Sequence, residues 1–187
     1  MVKRKTCIFI SGQGSNLKNL IFRSRDKNFP VTISLVISNN KNAYGIKYAK
    51  KYSIPYTYIN TSCKNYENKI LLNLKKYKIS FICLAGYMKI VSNFLIQKYR
   101  GKIINIHPSL LPKYKGLNTY ARILKNKEKK TGCTVHFVNE KLDSGNTIIQ
   151  KKFFVINGDD EKILKSKTQK LEYRAFPEAI IKIFRNI

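Results

Sequence analysis

Asn105 and His107 lie two residues apart in the run IINIHPSLLPKYKG, residues 103–116. Apolar residues lead into the pair and Pro108 stops the run. On a strand, side chains two apart share a face, so a carboxamide and an imidazole project together from one strand end. An amide N–H can stabilise an oxygen that gains charge, and an imidazole titrates near neutrality and can carry a proton. That pair suits acyl or formyl transfer. A third group comes from KLDSGNTI, residues 141–148, where Asp143 falls in a turn between two expected strands. Turns of this kind favour aspartate for local reasons alone. An ionised carboxylate beside His107 would also raise the imidazole pKa and fix the ring. A phosphate site is suggested by SGQGSNL, residues 11–17, which follows the first strand and opens the first helix. Gly12 and Gly14 allow a tight turn, Ser15 and Asn16 are good helix caps, and free amides at a helix start bind phosphate. The third glycine of the dinucleotide fingerprint and the GK[ST] of the P-loop are missing.

These groups need a scaffold, and the hydrophobic pattern provides one. Strands are expected at Lys5–Ile10, Val31–Ile37, Pro55–Ile59, Ser80–Ala85, the run ending at His107, Cys133–Val138 and Thr147–Val155. Helical spacing marks Asn16–Arg25, Ala43–Lys51, Tyr66–Lys76, Gly86–Tyr99, Thr119–Lys127 and Asp160–Phe184, with Pro177 as a kink or break. Alternation of strands and helices predicts an α/β fold, a mostly parallel central sheet with helices on both faces. Ligands in such sheets bind at the carboxyl ends of the strands, where both the glycine loop and the Asn105–His107 pair are expected. The 187 residues suffice for one domain, 1–187, and no composition break suggests a second.

The composition carries 37 Lys+Arg against 10 Asp+Glu, a formal +27. Such a charge invites a nucleic-acid reading. The cations are mostly lysines spread through every segment, in a chain also rich in Ile, Asn and Tyr. That is the mark of codon drift toward A and T, so no nucleic-acid partner is expected. A field that attracts anionic substrates follows either way. Of the four cysteines, Cys7, Cys83 and Cys133 lie in apolar runs and Cys63 in a polar one. None forms a CxxC or a metal-ligand cluster, so reduced thiols and no metal are expected. No membrane span or signal peptide is apparent, which predicts a cytoplasmic protein.

Taken together, the segments ISGQGSNL, LAGYMKIVS, NIHPSLLPKYKGLNTY, GCTVHFVNEKLDSGNTIIQ and TQKLEYRAFP resemble the phosphoribosylglycinamide formyltransferase family, in its order and roughly its spacing. The resemblance implies a Rossmann-like formyltransferase fold. It also implies transfer of a formyl group from 10-formyltetrahydrofolate to the amine of phosphoribosylglycinamide, in purine biosynthesis. Asn105 would stabilise the oxyanion, His107 would move the proton and Asp143 would support the imidazole. Gly14, Ser15, Asn16, Gln169 and Glu172 would hold the ribonucleotide. The folate would be held by Met88, Lys89, Ile90 and Val91, with Asn105 and with Lys64 in place of a family arginine. Pro112 matches a family cis-proline. Departures include Asn118 where a histidine is common and Thr134 where serine is common. His136 shares a strand face with Thr134, as a packed or a catalytic residue.

A formyltetrahydrofolate deformylase would have the same Asn, His and Asp, and so would a methionyl-tRNA formyltransferase. The first is expected to carry a preceding regulatory domain and the second a following one. A basic nucleic-acid module is the alternative from a different class. The state expected is a monomer or a homodimer.

Overall fold

A computed structural model describes residues 2–185. The strands and helices are β1 (Arg4–Ile10), α1 (Ser15–Ser24), β2 (Val31–Ser38), α2 (Ile46–Lys51), β3 (Tyr56–Tyr58), α3 (Tyr66–Lys76) and β4 (Phe81–Leu84). There follow α4 (Asn93–Lys98), β5 (Ile103–His107), α5 (Thr119–Lys125), β6 (Lys130–Phe137), β7 (Thr147–Phe154) and α6 (Glu161–Arg185). The strands form a seven-stranded sheet in the order β3-β2-β1-β4-β5-β6-β7. This is the mostly parallel α/β fold expected from the alternation. The chain divides into two compact units, with the boundary between Ile104 and Asn105, inside β5.

In the first unit β1 pairs in parallel with β2 and β4, and β2 with β3. The apolar run CIFI of β1 is fully buried, and so is FICL of β4. A strand enclosed by helices on both faces has no polar side to present, which explains why these strands lack alternation. Helix α1 turns Leu17, Leu20 and Ile21 inward, at the spacing of one helical face, and packs on β2.

In the second unit β6 and β7 form the one antiparallel pair among the strand pairs described here. Helix α6 packs on both, burying Leu164, Phe176, Ala179 and Ile180. Burying aliphatic and aromatic side chains of this size stabilises by roughly 1.5–3 kcal/mol each.

Three expectations need correction. The helix expected over Gly86–Tyr99 is confined to Asn93–Lys98, because Ser92 caps it by accepting the Leu95 amide and the preceding residues are irregular. Of the kink or break expected at Pro177, the break does not occur, since α6 runs through it. The helix expected from Ala43 starts at Ile46, since turn hydrogen bonds occupy Ala43–Gly45. No described helix is long and apolar enough to cross a membrane.

Candidate active site

The alternation in β5 buries Ile104 and Ile106 on one face and turns Asn105 and His107 to the other. His107 is only 5% exposed. Its Nε2 donates to the Tyr114 carbonyl at 2.8 Å, and its Nδ1 lies 3.3 Å from Asp143 Oδ2. Both ring nitrogens therefore face acceptors. That carboxylate oxygen also accepts the Gly116 amide at 2.9 Å. The other oxygen, Oδ1, is 3.4 Å from Asn105 Nδ2 and 3.6 Å from His136 Nε2. One carboxylate thus gathers a backbone amide, a carboxamide and two imidazoles.

The turn carrying Asp143 is built for close approach. Asp143 itself adopts φ +47°, which aspartate tolerates better than most residues. Gly145 comes next but one, and a Cβ there would sit 1.8 Å from the Phe137 carbonyl oxygen. Only glycine lets the turn fold back on β6 and bring Asp143 to His107.

His136, on the neighbouring strand β6, is almost fully buried. Its Nδ1 meets the Phe137 carbonyl at 2.8 Å, and its Nε2 lies 3.3 Å from Asn105 Nδ2. Two strand positions away, Thr134 Oγ1 donates to the Ser109 carbonyl at 2.6 Å and accepts from the Leu111 amide and Gln150 Nε2. This hydroxyl holds the bend that follows His107. The Leu111–Pro112 bond in that bend is cis.

Burial alone would raise the Asp143 pKa. The His136 hydrogen bond, the Gly116 amide and the charge of His107 outweigh it and push the pKa down to about 2. Burial pulls the His107 pKa below its ordinary value of 6.5, with His136 and Arg122 acting in the same direction. The Tyr114 carbonyl and Asp143 oppose that fall without reversing it. The result is an ionised carboxylate beside an imidazole whose proton affinity burial lowers and the Tyr114 carbonyl and Asp143 partly restore.

The expected ribonucleotide and folate residues are placed as follows. Gly14 takes φ +70° and precedes Ser15 and Asn16, the first residues of α1. The side-chain cap expected from Ser15 or Asn16 is not formed; Gly14 occupies the cap position because the turn needs positive φ there. Asn16 is buried, which a cap on a surface helix would not require.

Met88, Lys89 and Ile90 are exposed and Val91 is buried, on an irregular segment rather than a helix. Ser11 ties this segment to β1: its Oγ accepts the Met88 amide at 2.8 Å and donates to Asn39 Oδ1 at 2.6 Å. Lys64 is exposed in the turn before α3. Gln169 and Glu172 lie one turn apart on α6. Burial first, and then the Glu172 charge, push the Cys133 thiol pKa up to about 12.

Asn105, His107 and Asp143 are thus brought together. Sequence reasoning left His136 undecided and missed the backbone groups of Tyr114 and Gly116. The period-two spacing of Thr134 and His136 was the available signal for the first. A backbone carbonyl or amide leaves no signature in residue type.

A profile of the formyl transferase family matches residues 4–180. The chain belongs to the formyl transferase family. Within it, the chain is 40% identical over 183 residues to the phosphoribosylglycinamide formyltransferase of Haemophilus influenzae, covering 95% of this chain and 85% of that one. It is 39% identical to the trifunctional purine biosynthetic protein adenosine-3 of Drosophila melanogaster and 40% to that of Homo sapiens. It spans only 14% and 18% of the lengths of those two proteins. Among solved structures, the phosphoribosylglycinamide formyltransferase of Anaplasma phagocytophilum superimposes with a TM-score of 0.94 at 35% identity, covering 99% of this chain and 88% of that one. The Brucella melitensis protein of the same name gives 0.92 at 38% identity, covering 98% and 96%.

Proposed function

We propose that this member of the family is a phosphoribosylglycinamide formyltransferase, moving a formyl group from 10-formyltetrahydrofolate to the amine of phosphoribosylglycinamide in purine biosynthesis. The observation that carries the reading is the meeting of Asn105, His107 and Asp143 on one carboxylate, in a chain so similar to proteins of that name.

The chemistry follows from the three side chains. The substrate amine attacks the formyl carbon, forming a C–N bond and leaving negative charge on the formyl oxygen. Asn105 Nδ2 carries two hydrogens; one is directed at Asp143 Oδ1, and the other donates to that oxyanion. Neutral His107 takes a proton from the attacking nitrogen, which becomes a positively charged ammonium on forming the new C–N bond. It returns that proton to the folate nitrogen as the old C–N bond breaks. Asp143 stabilises the imidazolium that exists between those two steps, as a carboxylate beside a catalytic imidazole does elsewhere. A metal has no part in these steps.

Gly14, Ser15 and Asn16 offer a helix start to the substrate phosphate, with Gln169 and Glu172 as further contacts to the ribonucleotide. Met88–Val91 offer the folate their backbone groups other than the Met88 amide, which Ser11 holds, and Lys64 supplies a charge near it. Residues 1–187 act as one cytoplasmic formyltransferase domain, monomeric or dimeric. The test is a transfer assay with purified protein. Tetrahydrofolate release that depends on phosphoribosylglycinamide supports the reading; equal release without that substrate overturns it in favour of a deformylase.

A further inference from the structure

The segment 114–117 holds both members of the His107–Asp143 pair through its backbone: the Tyr114 carbonyl accepts from His107 Nε2 and the Gly116 amide donates to Asp143. Tyr114 has φ +59°, a left-handed conformation costly for a bulky residue that persists only where the surroundings over-determine it. Its side chain shows what does so. The hydroxyl donates to Glu128 Oε1 at 2.9 Å and accepts from Asn126 Nδ2 at 2.9 Å. The Arg122 guanidinium lies over the ring at 5.4 Å, and its Nη1 donates to the Lys115 carbonyl at 2.7 Å. Lys113 Nζ completes the outer layer with a 2.7 Å contact to the same Glu128 oxygen.

We propose that Tyr114 is a positioning residue whose side chain, anchored by Glu128 and Asn126, holds its own carbonyl against His107 Nε2 and so fixes the orientation and proton affinity of the ring. This rests on the reading of His107 as the proton carrier. None of the anchoring groups touches the ring of His107, so they act through the Tyr114 backbone. The groups that do face His107 are Asp143 from the β6–β7 turn, His136 of β6, Arg122 of α5 and the Tyr114 carbonyl itself. Of these the carbonyl favours the charged ring, and its hydrogen bond is the largest influence opposing burial. Glu128 meets the Tyr114 hydroxyl and Lys113 Nζ, so its route to His107 runs through Tyr114.

The test uses the full chain and its two histidines, whose ring resonances can be titrated by NMR. Tyr114→Phe removes the hydroxyl and keeps the ring under Arg122. Glu128→Ala removes the outer anchor at a half-buried position and covers the case in which Tyr114→Phe fails to fold. Each variant is expected to lower the His107 titration midpoint by about half a unit or more and to mix its ring tautomers. Each should reduce kcat several-fold with little change in KM. A midpoint and tautomer unchanged from wild type in a folded variant overturn the proposal, even if turnover falls. A moved midpoint with unchanged kcat overturns it too. If the wild type itself transfers no formyl group, the function fails, while the NMR titration still decides whether Tyr114 controls His107.

Discussion

His107 Nδ1 and Asp143 Oδ2 stand 3.3 Å apart, although 36 positions separate them in the chain, and both side chains are almost fully buried. A buried carboxylate with no partner would be protonated; this one stays ionised because imidazole and amide donors surround it. Asp143→Asn keeps the shape and removes the charge. Formyl transfer should fall by about 10²-fold or more, the scale of impaired proton transfer. Because Asp143 raises the His107 pKa, its loss should also move the acid limb of the kcat profile to lower pH. An unmoved limb would show that the carboxylate does not govern the imidazole.

The wild-type profile has a sign of its own. The folded His107 pKa lies below 6.5, so turnover should fall as pH drops through an inflection under that value. Stability follows the same direction. Asp143 is depressed from 3.8 to about 2, so its contribution is present above pH 3.8 and is lost as pH falls toward 2. The amount is about 2 kcal/mol by linkage. His107 adds a loss that begins as pH falls through 6.5, where the unfolded ring takes up a proton first. Urea melts of wild type and Asp143→Asn between pH 7 and 3 measure both; parallel pH dependences would contradict this assignment.

Asn105→Ala should lower kcat by about 10²–10³-fold, the cost of one oxyanion donor. KM for phosphoribosylglycinamide should stay near the wild-type value, because the developing charge exists only after attack. A pure KM effect in steady-state kinetics would reassign the amide to substrate binding.

Gly45 meets the glycine loop backbone to backbone: a Cβ on Gly14 would lie 2.4 Å from the Gly45 Cα, and the Gly45 amide donates to the Gly12 carbonyl at 3.0 Å. Gly45→Ala would press on Gly14 and on Ile10. It should destabilise by about 1–3 kcal/mol, as overpacking does. It should also weaken ribonucleotide binding with kcat less affected, since the loop, not the imidazole, is disturbed. Calorimetric titration with the ribonucleotide checks this.

Thr134→Val is nearly isosteric but deletes a hydroxyl with three partners in a fully buried position. The abandoned Ser109 carbonyl and Leu111 amide should cost about 1–3 kcal/mol. Thr134→Ser keeps the oxygen and should retain most of that stability, as thermal melts of the two variants would show.

Read alone, the order of residues determined the architecture and named the candidate groups that the fold brings together. Unbroken apolar runs such as CIFI and FICL could only be strands enclosed on both faces, and Asn105 and His107 had to share a face because strand periodicity is two. With few acidic residues in the chain, the position of Asp143 in a turn at the sheet edge made it the leading carboxylate, and the family resemblance implied the same residue. Local pattern misled where a boundary depends on distant partners: the residues after Gly86 have helical spacing, yet Ser11 takes the Met88 amide and the helix waits for its Ser92 cap. Only the tertiary structure decided that His136 joins Asn105 on the Asp143 carboxylate, and that Tyr114 and Gly116 hold the pair with backbone atoms. Periodicity reports which face a side chain takes, but a backbone carbonyl is common to every residue, and what it points at is set by how the chain folds back upon itself.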